Sequence, residues 1–86
     1  MKGICRDNDT AGGDLIPTQD FVFVDNNLVI VDNDPVQGHG PGEHAGPTMV
    51  AGNANVFINN IRVCKADDLA TCGHPATGSS TVLIGD

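Results

Sequence analysis

One pattern recurs along this chain and limits its fold more than any other feature. Residues 52–68 read Gly-Asn-Ala-Asn-Val-Phe-Ile-Asn-Asn-Ile-Arg-Val-Cys-Lys-Ala-Asp-Asp. Val56-Phe57-Ile58 is a β-rich run, Asn59-Asn60 a two-residue turn, and Ile61 to Lys65 the return. Asparagine suits such a turn because it tolerates the positive φ that tight hairpins need. Residues 21–34 superimpose on this hairpin without a gap, Val22 on Val56 and Asp34 on Asp68. Half-copies stand at the two ends. Gly78 to Asp86 matches the first half, and Gly3 to Asp9 matches the second, with Cys5 on Cys64. The chain therefore reads as three copies of one hairpin in a circle, cut open at a turn, where a break disturbs few buried hydrogen bonds.

Eighty-six residues make a single domain, 1–86, and at this size a crosslink, a metal or a partner often supplements the core. Eleven Gly, five Pro and no sustained helical periodicity predict an all-β, turn-rich protein with little or no helix. A net charge of −7 with four basic residues argues against a nucleic-acid partner, which needs a basic face, and against stable membrane anchoring. No stretch has the length of a signal peptide or membrane span, so synthesis in the cytoplasm is expected.

Three cysteines without an export signal make a disulfide framework a poor expectation. Cys5, Cys64 and Ile30 share one position of the repeat, which reads as a small buried apolar site. Each copy closes on acidic residues: Asp7-Asn8-Asp9, Asp32-Asn33-Asp34 and Asp67-Asp68. These lack the loop length and terminal glutamate of a calcium loop, and turn or capping roles are expected.

The connections between hairpins differ. Residues 10–20 form the first, with Leu15 and Ile16 expected to tuck inward. Residues 35–51 form the second, long and dense in Gly and Pro. Met49-Val50 there stand where Leu15-Ile16 stand before the earlier hairpin, which ties the loop into the repeat. Residues 69–77 form the third. All the histidines, and the one cysteine outside the repeat position, fall in the second and third: His39, His44, Cys72 and His74. Two donors from each of two loops give the complement of a closed structural zinc site. The alternative is three solvated histidines and a cysteine that is simply buried. Small size favours the metal.

A catalytic Cys72 with His74 as its base is the enzymatic reading. His74 lies only two residues away in a short loop, and four protein ligands would leave no open position for a water on the ion. The chain is expected not to be an enzyme.

These residues resemble the PAAR-repeat family, whose hairpin reads roughly Gly-Ser-x-x-Val-Phe-Ile-Asn-Gly-x-Pro-Ala-Ala-Arg-x-Gly-Asp. Gly52 to Asn60 and Gly78 to Asp86 look like its first part, and the likeness runs through the whole chain. The naming tetrapeptide is degenerate here: Gly3-Ile4-Cys5-Arg6, Leu28-Val29-Ile30-Val31 and Arg62-Val63-Cys64-Lys65. The resemblance implies a small cone of three β-hairpin repeats about a pseudo-threefold axis, with zinc near the vertex held by three His and one Cys. Those roles fall on His39, His44, Cys72 and His74. It also implies a structural tip that caps and sharpens the trimeric β-helix spike of a contractile phage tail for piercing a cell envelope. One copy, a monomer by itself, would sit on each trimer and be assembled into the virion tail tip. The alternative is a type VI secretion adaptor that caps the spike and tethers effector cargo. No effector domain is expected within 86 residues. A different class of spike tip uses His-x-His pairs from three chains, and no such pair occurs here.

Overall fold

A computed structural model describes residues 1–52 and 54–84. The expectations that rest on Asn53 and on the Gly85-Asp86 end lie outside the described residues. The protein is small and all-β. Among the described residues its strands are β1 (Lys2–Gly3), β2 (Phe23–Val24), β3 (Asn27–Leu28), β4 (Phe57–Ile58), β5 (Ile61–Arg62) and β6 (Leu83–Ile84), with one 3-10 turn at Gly42–His44. They form three antiparallel pairs, β2 with β3, β4 with β5, and β1 with β6.

The three pairs share one register. Phe23 faces Leu28, Phe57 faces Arg62, and Leu83 faces Gly3. Two of them close through two-residue turns with both central residues at positive φ: Asp25 (53°) with Asn26 (67°), and Asn59 (52°) with Asn60 (67°). That is the mirror-image turn whose twist matches the flanking strands, and Asn and Asp enter it with less strain than other side chains.

The strands are only two residues long because the backbone leaves its own hairpin to bond to the next repeat. The Cys5 amide donates to the Cys64 carbonyl (3.0 Å), the Ile30 amide to Cys5 (3.0 Å), and the Cys64 amide to Ile30 (2.9 Å). These bonds form a closed ring of three, one from each copy. A second cycle surrounds it: Asp7 donates to Leu28, Asp32 to Arg62, and Ala66 to Gly3. A third links the connections, with Ile16 bonding Pro35, Val50 bonding Leu69, and Thr77 bonding Thr10. Backbone groups that a longer ladder would pair within one hairpin are satisfied between repeats instead.

The acidic turns take the structural role expected of them. Asp9, Asp34 and Asp68 are buried, and each carboxylate accepts the backbone N–H three residues earlier: Arg6 (2.9 Å), Val31 (2.9 Å) and Lys65 (3.0 Å). The residue before each aspartate has positive φ, Asn8 (93°), Asn33 (71°) and Asp67 (74°). The side chain thus locks a turn that the backbone alone would hold weakly.

The core has two parts. Ile4, Val29 and Val63 pack with Val31, Ala54 and Ile84 beneath the hairpins. Cys5, Ile30 and Cys64 pack with Ala11, Leu15, Val36, Met49, Ala70, Cys72 and Ala76, gathered from the connections. All three cysteines are buried free thiols. Burial pushes the Cys5 and Cys64 thiols far above their ordinary range, which suits apolar packing rather than reactivity. Leu15 and Met49 are inside as expected, but Ile16 is exposed, like its counterpart Val50. Each lies one residue beyond an inward position, and successive extended side chains point to opposite faces. No phenylalanine is in the core: Phe21, Phe23 and Phe57 are all exposed.

Candidate metal centre

The second and third connections each fold to present two donors. In the second, the His39 amide donates to the His44 carbonyl (2.8 Å), closing a small loop. Within it, the 3-10 turn at Gly42–His44 follows an extended Pro41 (φ −84°, ψ 170°). In the third, the Gly73 amide donates to Ala70 (2.9 Å) and the Ala70 amide to His74 (3.0 Å). Gly73 sits at φ 92°, a conformation glycine enters freely, and this lets Cys72 and His74 face the same way.

The four predicted residues come together, with donor atoms all within 4.8 Å of one another. His39 Nε2 stands 3.1 Å from His44 Nδ1 and 3.1 Å from His74 Nδ1. Cys72 Sγ is 3.6 Å from His39 Nε2 and 3.4 Å from His74 Nδ1. Zinc bond lengths set an N···N edge of about 3.3 Å and an N···S edge of about 3.5 Å in a regular tetrahedron. These four edges fit within a few tenths of an ångström. The ring centroids are 4.9 to 5.1 Å apart and mutually tilted, so the three imidazoles converge by their nitrogens rather than by stacking.

His39 carries a second constraint. Its Nδ1 lies 3.0 Å from the Gln37 carbonyl, which can only accept. The proton therefore resides on Nδ1, and Nε2 turns a lone pair toward the other three donors. This outer hydrogen bond is what a metal-binding imidazole needs to fix its tautomer. Around that lone pair stand two more ring nitrogens and a thiol, and one hydrogen bond cannot satisfy all of them. A cation accepted by four lone pairs does. Cys72 is buried and belongs to the core cluster, while the histidines are partly exposed on its outer side. The Glu43 carboxylate lies 3.9 Å from His44 Nε2, beyond hydrogen-bond reach.

Among the described residues this is the one group of three or more His, Cys, Asp or Glu side chains placed to hold an ion. The donor set, not the identity of the metal, is what the geometry fixes. Sequence reasoning named all four residues of this group and missed their surroundings, the Gln37 carbonyl and the Gly12-Gly13 segment of the first connection. A backbone carbonyl has no sequence signature. Consecutive glycines do, but the ordinary reading of such a pair is a turn. No family model matches the chain, and no curated protein matches it.

Proposed function

We propose that this protein is the structural tip of a contractile injection machine, a small cone that caps a trimeric β-helix spike and is stiffened at its vertex by zinc. The observation that carries this reading is an apolar surface built three times over at the hairpin end. Val22, Val56 and Val82 are 39%, 40% and 38% exposed, and Phe23, Phe57 and Leu83 are 58%, 50% and 46% exposed. Equivalent positions of three repeats thus offer nearly equal apolar area, and the Val22, Val56 and Val82 carbonyls accept from the amides of Val29, Val63 and Ile4, each beside a member of the backbone ring. Exposed apolar area beyond scattered single residues marks an interaction surface. One that repeats about a pseudo-threefold axis fits a partner with three identical chains, so a single copy meets a trimer without trimerising itself.

The metal belongs at the other end. The four donors adjoin the connection side of the core, and Cys72 itself belongs to the buried cluster there. When bound, zinc supplies a structural crosslink there. His39 and His44 anchor the second connection, and Cys72 and His74 anchor the third. Four protein donors leave no position for a reacting water. The reading is therefore mechanical: a rigid point in front and an apolar base behind.

The test is co-expression with the trimeric β-helix spike of the same phage or secretion system, followed by native mass spectrometry. One copy per trimer is expected, and Phe57→Asp should abolish the complex while the zinc-loaded protein unfolds within about 0.5 kcal/mol of wild type, as surface changes do. Three copies per trimer, or a complex that tolerates Phe57→Asp together with Phe23→Asp, would sink the docking assignment.

A further inference from the structure

Two connections supply metal ligands, and the first, residues 10–20, supplies none. It nonetheless runs against the same four donors. Its turn is held by the Ala11 amide donating to the Gly13 carbonyl (2.9 Å) and by an antiparallel bridge between Thr10 and Asp14. Its neighbours pin it on both sides. The Gln37 amide donates to the Asp14 carbonyl (2.8 Å), the Thr77 amide to the Thr10 carbonyl (2.9 Å), and the Thr10 amide to Thr77 Oγ1 (3.1 Å). The segment so fixed brings Gly12 and Gly13 against His39 and His74.

There is no room for a side chain at either position. A Cβ on Gly12 would fall on His74 Nδ1 and stand 2.7 Å from His39 Nε2 and 2.9 Å from His74 Cε1. A Cβ on Gly13 would strike the Gln37 carbonyl and stand 3.0 Å from His39 Nδ1. The first glycine thus crowds two ligating nitrogens, and the second crowds the hydrogen bond that fixes the tautomer of one of them.

We infer that Gly12 and Gly13 form a backbone wall that closes the His39–His74 edge of the metal site, holding the ion four-coordinate and setting its choice of metal. The inference rests on the zinc reading and extends it to residues that donate nothing. A wall of bare backbone excludes water and small anions from a fifth position. It thereby favours ions content with four nitrogen and sulfur donors over those that require five or six. Gly12 also sits at φ 85°, so two separate constraints exclude other residues there, the backbone and the space.

The two constraints separate experimentally. Gly13 has no positive φ, and a Cβ there would still strike the Gln37 carbonyl and stand 3.0 Å from His39 Nδ1. Gly13→Ala thus carries the collision without the backbone strain. Cobalt(II) serves as the probe, because its visible absorption reports coordination number directly. Wild type should bind one cobalt with the intense tetrahedral spectrum, and Gly13→Ala should bind it more weakly. Gly12→Ala should bind cobalt and zinc about 10–100-fold more weakly in chelator competition, the range seen when the support of a ligand is lost, with a weaker, higher-coordinate spectrum. Azide added to cobalt-loaded wild type should leave the spectrum unchanged. This measurement needs no variant, so a Gly12→Ala that fails to fold does not rescue the idea. An azide-induced change in wild type, or a folded Gly12→Ala with wild-type affinity and spectrum, overturns the wall. Failure of wild type to bind cobalt or zinc at all overturns the metal reading beneath it.

Discussion

Stripping the ion from this protein should lower its unfolding temperature by about 20 °C. The donors come in two pairs, so an ion held by all four would act as a crosslink between the second and third connections. The innermost ligands, His44 and Cys72, are about 28 positions apart. Closing a loop of that length removes about 12 cal/mol/K of entropy from the unfolded chain, or about 3.6 kcal/mol at 25 °C, by the relation used for disulfides. A domain of 86 residues unfolds with an entropy of about 180 cal/mol/K near 60 °C. The ratio of the two gives about 20 °C. The figure applies to an ion that stays bound in the unfolded chain; where it is released, the stabilisation instead follows the free zinc concentration, so zinc is held fixed in the comparison. The assay is calorimetry of zinc-loaded protein with and without chelator, then with zinc restored. A fall of less than about 5 °C, in protein that begins with one zinc per chain, would refute the crosslink argument.

Two further outcomes test the core and the acidic turns. Ile30→Ala, at the bulkiest of the three fully buried members of the Cys5–Ile30–Cys64 set, should destabilise by about 2–5 kcal/mol without altering zinc stoichiometry, read by denaturant unfolding with metal analysis. A loss below about 1 kcal/mol would mean that this ring is not tightly packed. Burial raises the Asp34 carboxyl above its ordinary range, against hydrogen bonds from the Thr18 hydroxyl and the Val31 amide. A carboxyl with a raised folded pKa contributes stability that is complete below its unfolded value near pH 4 and is lost as pH rises through the folded value. Asp34→Asn keeps an acceptor for Val31 and removes the buried charge, so it should flatten the stability–pH profile just above about pH 4. Unchanged slope in that window would contradict the assignment.

The repeat was legible in the sequence because its signals are local. Cys5, Ile30 and Cys64 align without a gap, Asn59-Asn60 marks its turn, and the aspartates close each copy at a fixed distance. The four residues of the His/Cys group were legible because every histidine of the chain lies in two connections. What the sequence concealed is what depends on neighbours distant along the chain. Two-residue strands look like the start of longer ones until the backbone is seen crossing to another repeat, as in the bond from Cys5 to Cys64. Ile16 looks like a core residue beside Leu15, but an extended chain can bury only alternate positions. Gly12 looks like a turn residue, and its second role exists only where two other loops arrive.

The ring of Cys5, Ile30 and Cys64 also dictates how the molecule comes into being. Each member donates to one neighbour and accepts from the other, so the cycle has no first bond to serve as a seed. Closing it joins positions 5 and 64, and the loop-closure entropy of that long excursion must be met before the contacts that reward it exist. Two repeats without the third would leave one amide and one carbonyl of the ring unpaired in an apolar interior, a penalty near that of the hydrogen bonds gained. Folding should therefore be slow for so short a chain and all-or-none, with no half-assembled form persisting long enough to be used.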